Sequence, residues 1–196
     1  MLLKKLPFII VPLIFLLAFS MKEAGISADK AEAKKAFEYL NQIRAKPDSF
    51  SLEIGANLKN VAPVPRLKWN DMLAKVAEEK ALDMAKRNYF SHLTPEGKGI
   101  NVMINGAGYK LNKDWIKAKS ENSFESIQAG AKDGKEAIKL LIIDSYDKEL
   151  GHRKHLLGMN EWNKDLKDIG IGFVHSPNSK YKTYVSIIIA KHDWEQ

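Results

Sequence analysis

Segments with helical periodicity come early in this chain and segments that alternate like strands come late, and that order excludes most fold classes. Ala33, Phe37, Leu40 and Arg44, flanked by Ala36 and Ile43, recur at helical spacing over residues 30–45, and Pro47 stops the pattern. Residues 55–66 carry Gly55, Pro63 and Pro65 and read as a loop. Asn70 can cap a second helix whose apolar face is Leu73, Val76, Ala77, Ala81, Met84 and Ala85, running to Arg87. A short helix is predicted around 100–106, ending at Gly106 or Gly108. Asp133-x-x-Glu136 has the form of a capping box and opens a helix bearing Ala137, Ile138, Leu141 and Ile142. Only then does the period change. Ile169, Ile171 and Phe173 alternate with Gly170 and Gly172, residues 181–190 are β-branched and aromatic, and Ser176-Pro177-Asn178-Ser179 separates the two as a hairpin loop. Helices first and a hairpin last describe an α+β layered domain with an antiparallel sheet, not a parallel βαβ fold.

The first 30 residues stand outside that domain. Lys4 and Lys5 precede an apolar run from Leu6 to Phe19, and Ala18-Phe19-Ser20 places small residues where a signal peptidase needs them. The expected organisation is therefore a signal peptide (1–20), a linker (21–30) and one domain (31–196), with cleavage after Ser20 or alternatively after Ala28. A retained anchor is the competing reading. The apolar run is broken by Pro7 and Pro12 and is shorter than the roughly 20 residues of a membrane span. No span is expected once the leader is removed. The chain has no cysteine, which excludes a disulfide scaffold, and a domain of this length can bury a core without one. Removing the two leader lysines from the formal charge of +7 leaves +5. That excess is interleaved with acids (KAEAKK, KVAEEK, KDLKD), the pattern of solvated helix faces. No basic stripe carries stacking aromatics, so nucleic acid is not an expected partner.

The familiar catalytic signatures are absent: no H-E-x-x-H, G-x-S-x-G, Walker loop, G-x-G-x-x-G or nucleophilic cysteine. What chemistry there is rests on His92, Glu121, Asp144 and His152, which lie in NYFSHL, SENS, LLIID and GHRKHLL. Singly, each has a plain structural reading. His92 follows a helix, Glu121 can be an exposed carboxylate, and Asp144 ends an apolar run. His152 and His155 share a helical turn, where His155 reads as the structural member. An acid at a helix C-terminus opposes the macrodipole, so Asp144 needs another partner to hold it there.

Their order and flanks say more. Asn41-x-x-Arg44, Leu67-Lys68-Trp69-Asn70, Phe90-Ser91-His92, Glu121-Asn122 and Gly151-His152-Arg153-x-x-Leu156-Leu157, before Ile169-Gly170-Ile171-Gly172, resemble the CAP superfamily of cysteine-rich secretory proteins, antigen 5 and pathogenesis-related proteins. The likeness covers about residues 31–191 and is to the bacterial secreted members. It implies an α–β–α sandwich, with a small antiparallel sheet between helical layers. It also implies an open cleft in which His92 and His152 are the two family histidines, Glu121 the acid of the Glu-Asn motif, and Asp144 a shorter acid at an altered offset from Gly151.

Three functions follow as expectations. The first is a secreted binding module for an extracellular or envelope ligand, its cleft holding Zn²⁺ or another divalent cation through His92 and His152. The second is a hydrolase using a metal or a His/Glu pair, with His92, Glu121 and His152 as the working groups. The third is a carrier of lipid or another apolar ligand. Asn41 and Arg44 are expected to tie the first helix to a loop, and Trp69 to anchor the segment before the second helix.

Overall fold

A computed structural model describes residues 25–192. The expected leader, residues 21–24 of the expected linker, and Trp194 lie outside the described residues. The helices are α1 (Lys30–Ala45), α2 (Ser51–Ile54), α3 (Asp71–Arg87), α4 (Ile100–Gly106), α5 (Gly134–Ile143), α6 (Gly151–Leu157) and α7 (Glu161–Lys164). The strands are β1 (Ser27–Ala28), β2 (Lys68–Trp69), β3 (Glu125–Ala129), β4 (Asp168–Ser176) and β5 (Lys182–Ala190). Among the described residues no helix is long and apolar enough to cross a membrane.

The sheet runs in the order β1-β4-β5-β3. β4 and β5 form the expected hairpin, Ile171 opposite Ile187 and Phe173 opposite Val185, and β3 adds antiparallel to β5. α3 packs on one face of β4 and β5, while on the other α1 packs against β4 and α5 and α6 against β3. The molecule is thus an α–β–α sandwich of the α+β class. On the α1/α5 side Leu40, Ile43, Leu141, Ile169, Ile171 and Phe173 share one core cluster. Beneath the C-terminal half of α3, Met84 and Ala85 close a second with Ile127, Val174 and Tyr184.

The alternation of glycine with isoleucine in β4 has a steric cause. A Cβ on Gly170 would lie 2.1 Å from the Ala74 nitrogen, and one on Gly172 would lie 2.4 Å from the Ala77 carbonyl carbon. The two glycines form the face against which the α3 backbone rests, while Ile169, Ile171 and Phe173 fill the opposite side.

Helix ends follow local chemistry. Asn70 Oδ1 accepts from the Met72 and Leu73 amides to open α3, and Asn88 closes it in the left-handed region. Asp133 accepts from Glu136 N at 2.8 Å, as a capping box requires, but Glu136 returns to Lys132 N at 2.6 Å rather than to the cap itself. Asn41 clasps both backbone groups of Leu67. Arg44 donates to the carbonyls of Pro65 and Leu156, so it ties α1 to α6 as well as to the expected loop. The ring of Trp69 meets Phe37 edge-on at 5.3 Å, beneath the Lys34 ammonium.

Three short strands escape the sequence reading. Ser27 and Ala28, expected in the linker, pair with His175 and Val174 along the free edge of β4. β2 pairs parallel with β4, Trp69 opposite Ile169. β3 is the third, and it matters most for the site.

Candidate functional site

His92 sits in the loop that leaves α3, and its Nδ1 lies 3.0 Å from Oε2 of Glu125, the first residue of β3. Glu125 is buried, and its other oxygen accepts from the Ser186 hydroxyl on β5 at 2.8 Å. His152, in the first turn of α6, repeats the arrangement: its Nδ1 lies 2.8 Å from Oδ1 of the buried Asp144. The two rings face one another across the cleft, nearly parallel (21°), with centroids 6.3 Å apart. Each imidazole is therefore backed by a buried carboxylate on its Nδ1 side.

The segment between α5 and α6 is folded to place the second pair. Asp144 ends α5 in the left-handed conformation (φ 53°), which aspartate tolerates, and so turns back toward α6. Its Oδ2 accepts from the His152 and Arg153 amides. Asp147 accepts from the Glu149 and Gly151 amides, and these N–H groups, Gly151 first, hold its carboxyl below the ordinary carboxylate range. A Cβ on Gly151 would come within 2.8 Å of Asp147 Oδ2. Arg153 reaches back to the carbonyls of Ile142 and Ile143 and satisfies the open end of α5. In Gly151-His152-Arg153, therefore, the glycine permits a close approach, the histidine serves the cleft, and the arginine completes a helix end.

Asp144, Asp147 and His152 bring three potential ligand atoms within 4.8 Å of one another. Every carboxylate oxygen in that trio already accepts an N–H hydrogen bond. A cation among them would meet the positive ends of the α6 N-terminal dipoles, so this group is better suited to capping than to caging an ion.

Of the four expected site residues, the structure brings His92, Asp144 and His152 together and leaves Glu121 aside. The Glu121 carbonyl accepts from Asn101 N at 3.2 Å and receives the close approach of Gly99, which helps to start α4. The acid that meets His92 is Glu125, four residues on. A signal for it was present: Phe124-Glu125-Ser126-Ile127 lies between Asn122-Ser123 and Gly130, turn residues bracketing a short strand.

The open cleft, about 680 Å³, extends beyond the histidines. Asn122, Ser123 and Asn163 line it, and Trp115 and Trp162 form one wall, edge to face at 5.1 Å and backed by Phe124. At its floor the buried His155 shares a 2.7 Å hydrogen bond between Nδ1 and the Ser126 hydroxyl. Burial drives the His155 pKa down to about 4, and the Ile189 carbonyl only partly opposes this.

A model of the cysteine-rich secretory protein family (CAP) matches residues 37–189. The uncharacterized protein YkwD of Bacillus subtilis (strain 168) is 28% identical over 161 residues, covering 76% of this chain and 54% of its own length; the chain thus spans about half of that relative. An extracellular protein containing an SCP domain from Bacillus anthracis (strain Ames) has a similar solved structure, with a TM-score of 0.53 at 23% identity. That match covers 83% of this chain and 41% of the other. An outer surface protein from Borrelia burgdorferi matches with a TM-score of 0.58 at 14% identity, over 85% of this chain and 98% of its own. At these identities the two structures speak for the fold alone.

Proposed function

The chain belongs to the cysteine-rich secretory protein (CAP) family, and from that premise we propose that it is an exported binding module whose cleft would hold a divalent cation, Zn²⁺ by preference, with His92 and His152 as the residues that hold it. One observation carries the reading: both Nδ1 atoms are committed to buried carboxylates, Glu125 and Asp144. A neutral imidazole that donates from Nδ1 keeps its lone pair on Nε2. A carboxylate behind a histidine fixes the tautomer, orients the ring and raises its basicity, as behind metal-ligating histidines in general. Two such nitrogens suit Zn²⁺, with water or ligand oxygen completing the coordination. When bound, the ion would supply a Lewis-acidic hold on an oxygen of the partner. The chain's own residues would orient that partner through Asn122, Asn163 and the tryptophan wall.

A binding role ranks above hydrolysis because the Glu125 and Asp144 carboxylates lie buried behind the histidines, turned to their Nδ1 atoms rather than to water in the cleft. The imidazoles, amides and hydroxyls set beside the tryptophan wall support an extracellular or envelope ligand that carries polar groups as well as an apolar face. Export rests on the leader-like first 20 residues.

Calorimetric titration of the purified protein with Zn²⁺ tests the reading. One site is expected, lost in both His92→Ala and His152→Ala. It should weaken by roughly 10–100-fold in Glu125→Gln and Asp144→Asn, the usual effect of removing a carboxylate behind a ligand. Affinity unchanged by both histidine substitutions would refute it.

A further inference from the structure

We propose that Lys80, on α3 and twelve residues before His92, is the positioning residue for that histidine. It deepens the reading above in that His92 serves the cleft, but it does not depend on which ion or ligand the cleft takes. Lys80 occupies the apolar face of α3, between Val76 and Met84, and is 0% exposed. Any apolar side chain would serve packing there, and a buried ammonium is costly unless it is paired and hydrogen-bonded. Its partners explain its presence. Nζ donates to the Ser91 carbonyl at 2.8 Å and to the Tyr89 hydroxyl at 3.2 Å, and it lies 4.9 Å over the Tyr89 ring. Tyr89 in turn donates to Asp83 on α3 at 2.6 Å. The loop that presents His92 is thus fastened to α3 at its backbone, one residue before the histidine.

The second link is electrostatic. Burial is the largest influence on Lys80 and disfavours its cationic form, whereas the Glu125 carboxylate and then Asp83 support it against burial and Arg87. Glu125 is the buried acid that holds the ring of His92 from the other side. One ammonium therefore fixes the backbone of the His92 loop and supplies positive charge to the carboxylate that sets its tautomer. A shift of the loop would break the Lys80–Ser91 bond and draw His92 away from Glu125.

The test uses Lys80→Met and Lys80→Arg, with the His92 ring nitrogens read by long-range ¹H–¹⁵N correlation at pH 8, above the ordinary imidazole range. In the wild type His92 is expected as the single tautomer with its proton on Nδ1. In a folded Lys80→Met both tautomers should be populated, and Lys80→Arg should restore one. Zn²⁺ affinity should fall roughly 10–100-fold in the Met variant, as for other groups that support a ligand from behind. If Lys80→Met does not fold, Lys80→Leu, which can neither donate to Ser91 nor carry charge, takes its place with the same expectation. An unaltered His92 tautomer in the folded neutral variant overturns the proposal. So does a failure of arginine to restore it. A wild type that binds no Zn²⁺ overturns the metal reading alone, because the tautomer measurement stands without an ion.

Discussion

His155 shows how far one side chain's environment can diverge from its neighbour's. His152 is partly open to the cleft, while His155, one helical turn on, lies on the floor and is pulled down to about 4 by burial. An unfolded chain returns it to about 6.5. The folded value is the lower, so the unfolded state takes up the proton first as pH falls. His155 therefore costs no stability above pH 6.5, costs progressively more from 6.5 down to 4, and adds no further penalty below that. The full swing is on the order of 3 kcal/mol. Urea denaturation of the wild type and His155→Asn at pH 7 and pH 4 isolates it, since the asparagine can still bond Ser126 but does not titrate. The variant should lose less stability than the wild type between those pH values, and an identical loss would remove the argument.

At the scale of elements, what was legible in the sequence is what local chemistry decides. α1 and α3 could be placed because their apolar faces, and for α3 the cap Asn70, lie within the segments themselves, whereas the α1 cap Asp29 falls in the expected linker. β3 could not, because a five-residue strand is made by pairing with β5, more than fifty residues later. That pairing is also what decides between Glu121 and Glu125. Two glutamates four residues apart look alike in sequence, and only the register opposite Ile188 puts one of them beside His92. The glycines of β4 were visible as a pattern, but their cause was not, since the contact they permit is with a helix a hundred residues away. Gly172→Ala should therefore cost at least the roughly 1–3 kcal/mol of core overpacking, because a Cβ would stand 2.4 Å from the α3 backbone. Gly106→Ala, where a Cβ meets nothing within 4 Å, is the control, and it should be neutral or stabilising by about 0.5–1 kcal/mol. Thermal unfolding of the pair would expose an error in the layer contact if both behaved alike.

Across the whole molecule, the cleft's geometry depends on how the helical layers are held, because its two histidines come from opposite layers. His92 leaves α3 on one face, whereas His152 rides on α6, which packs with α5 on the other. Arg44 is a long-range fastener on the second side. It is 1% exposed and joins α1 to the Pro65 carbonyl and to the Leu156 carbonyl, 112 residues away at 2.7 Å on α6 itself. Burial draws its pKa down to about 10, still high enough to keep the guanidinium charged at neutral pH. Arg44→Met keeps much of the packing volume but strands both carbonyls without their donors, each at about 1–3 kcal/mol. The expected result is a protein several degrees less stable in thermal melts. Its His152 ring signals should shift in NMR spectra while those of His92, anchored separately through Glu125, stay close to wild type. Equal displacement of both histidines would mean that the two halves of the cleft are coupled through the sheet rather than fastened independently by Arg44 and Glu125.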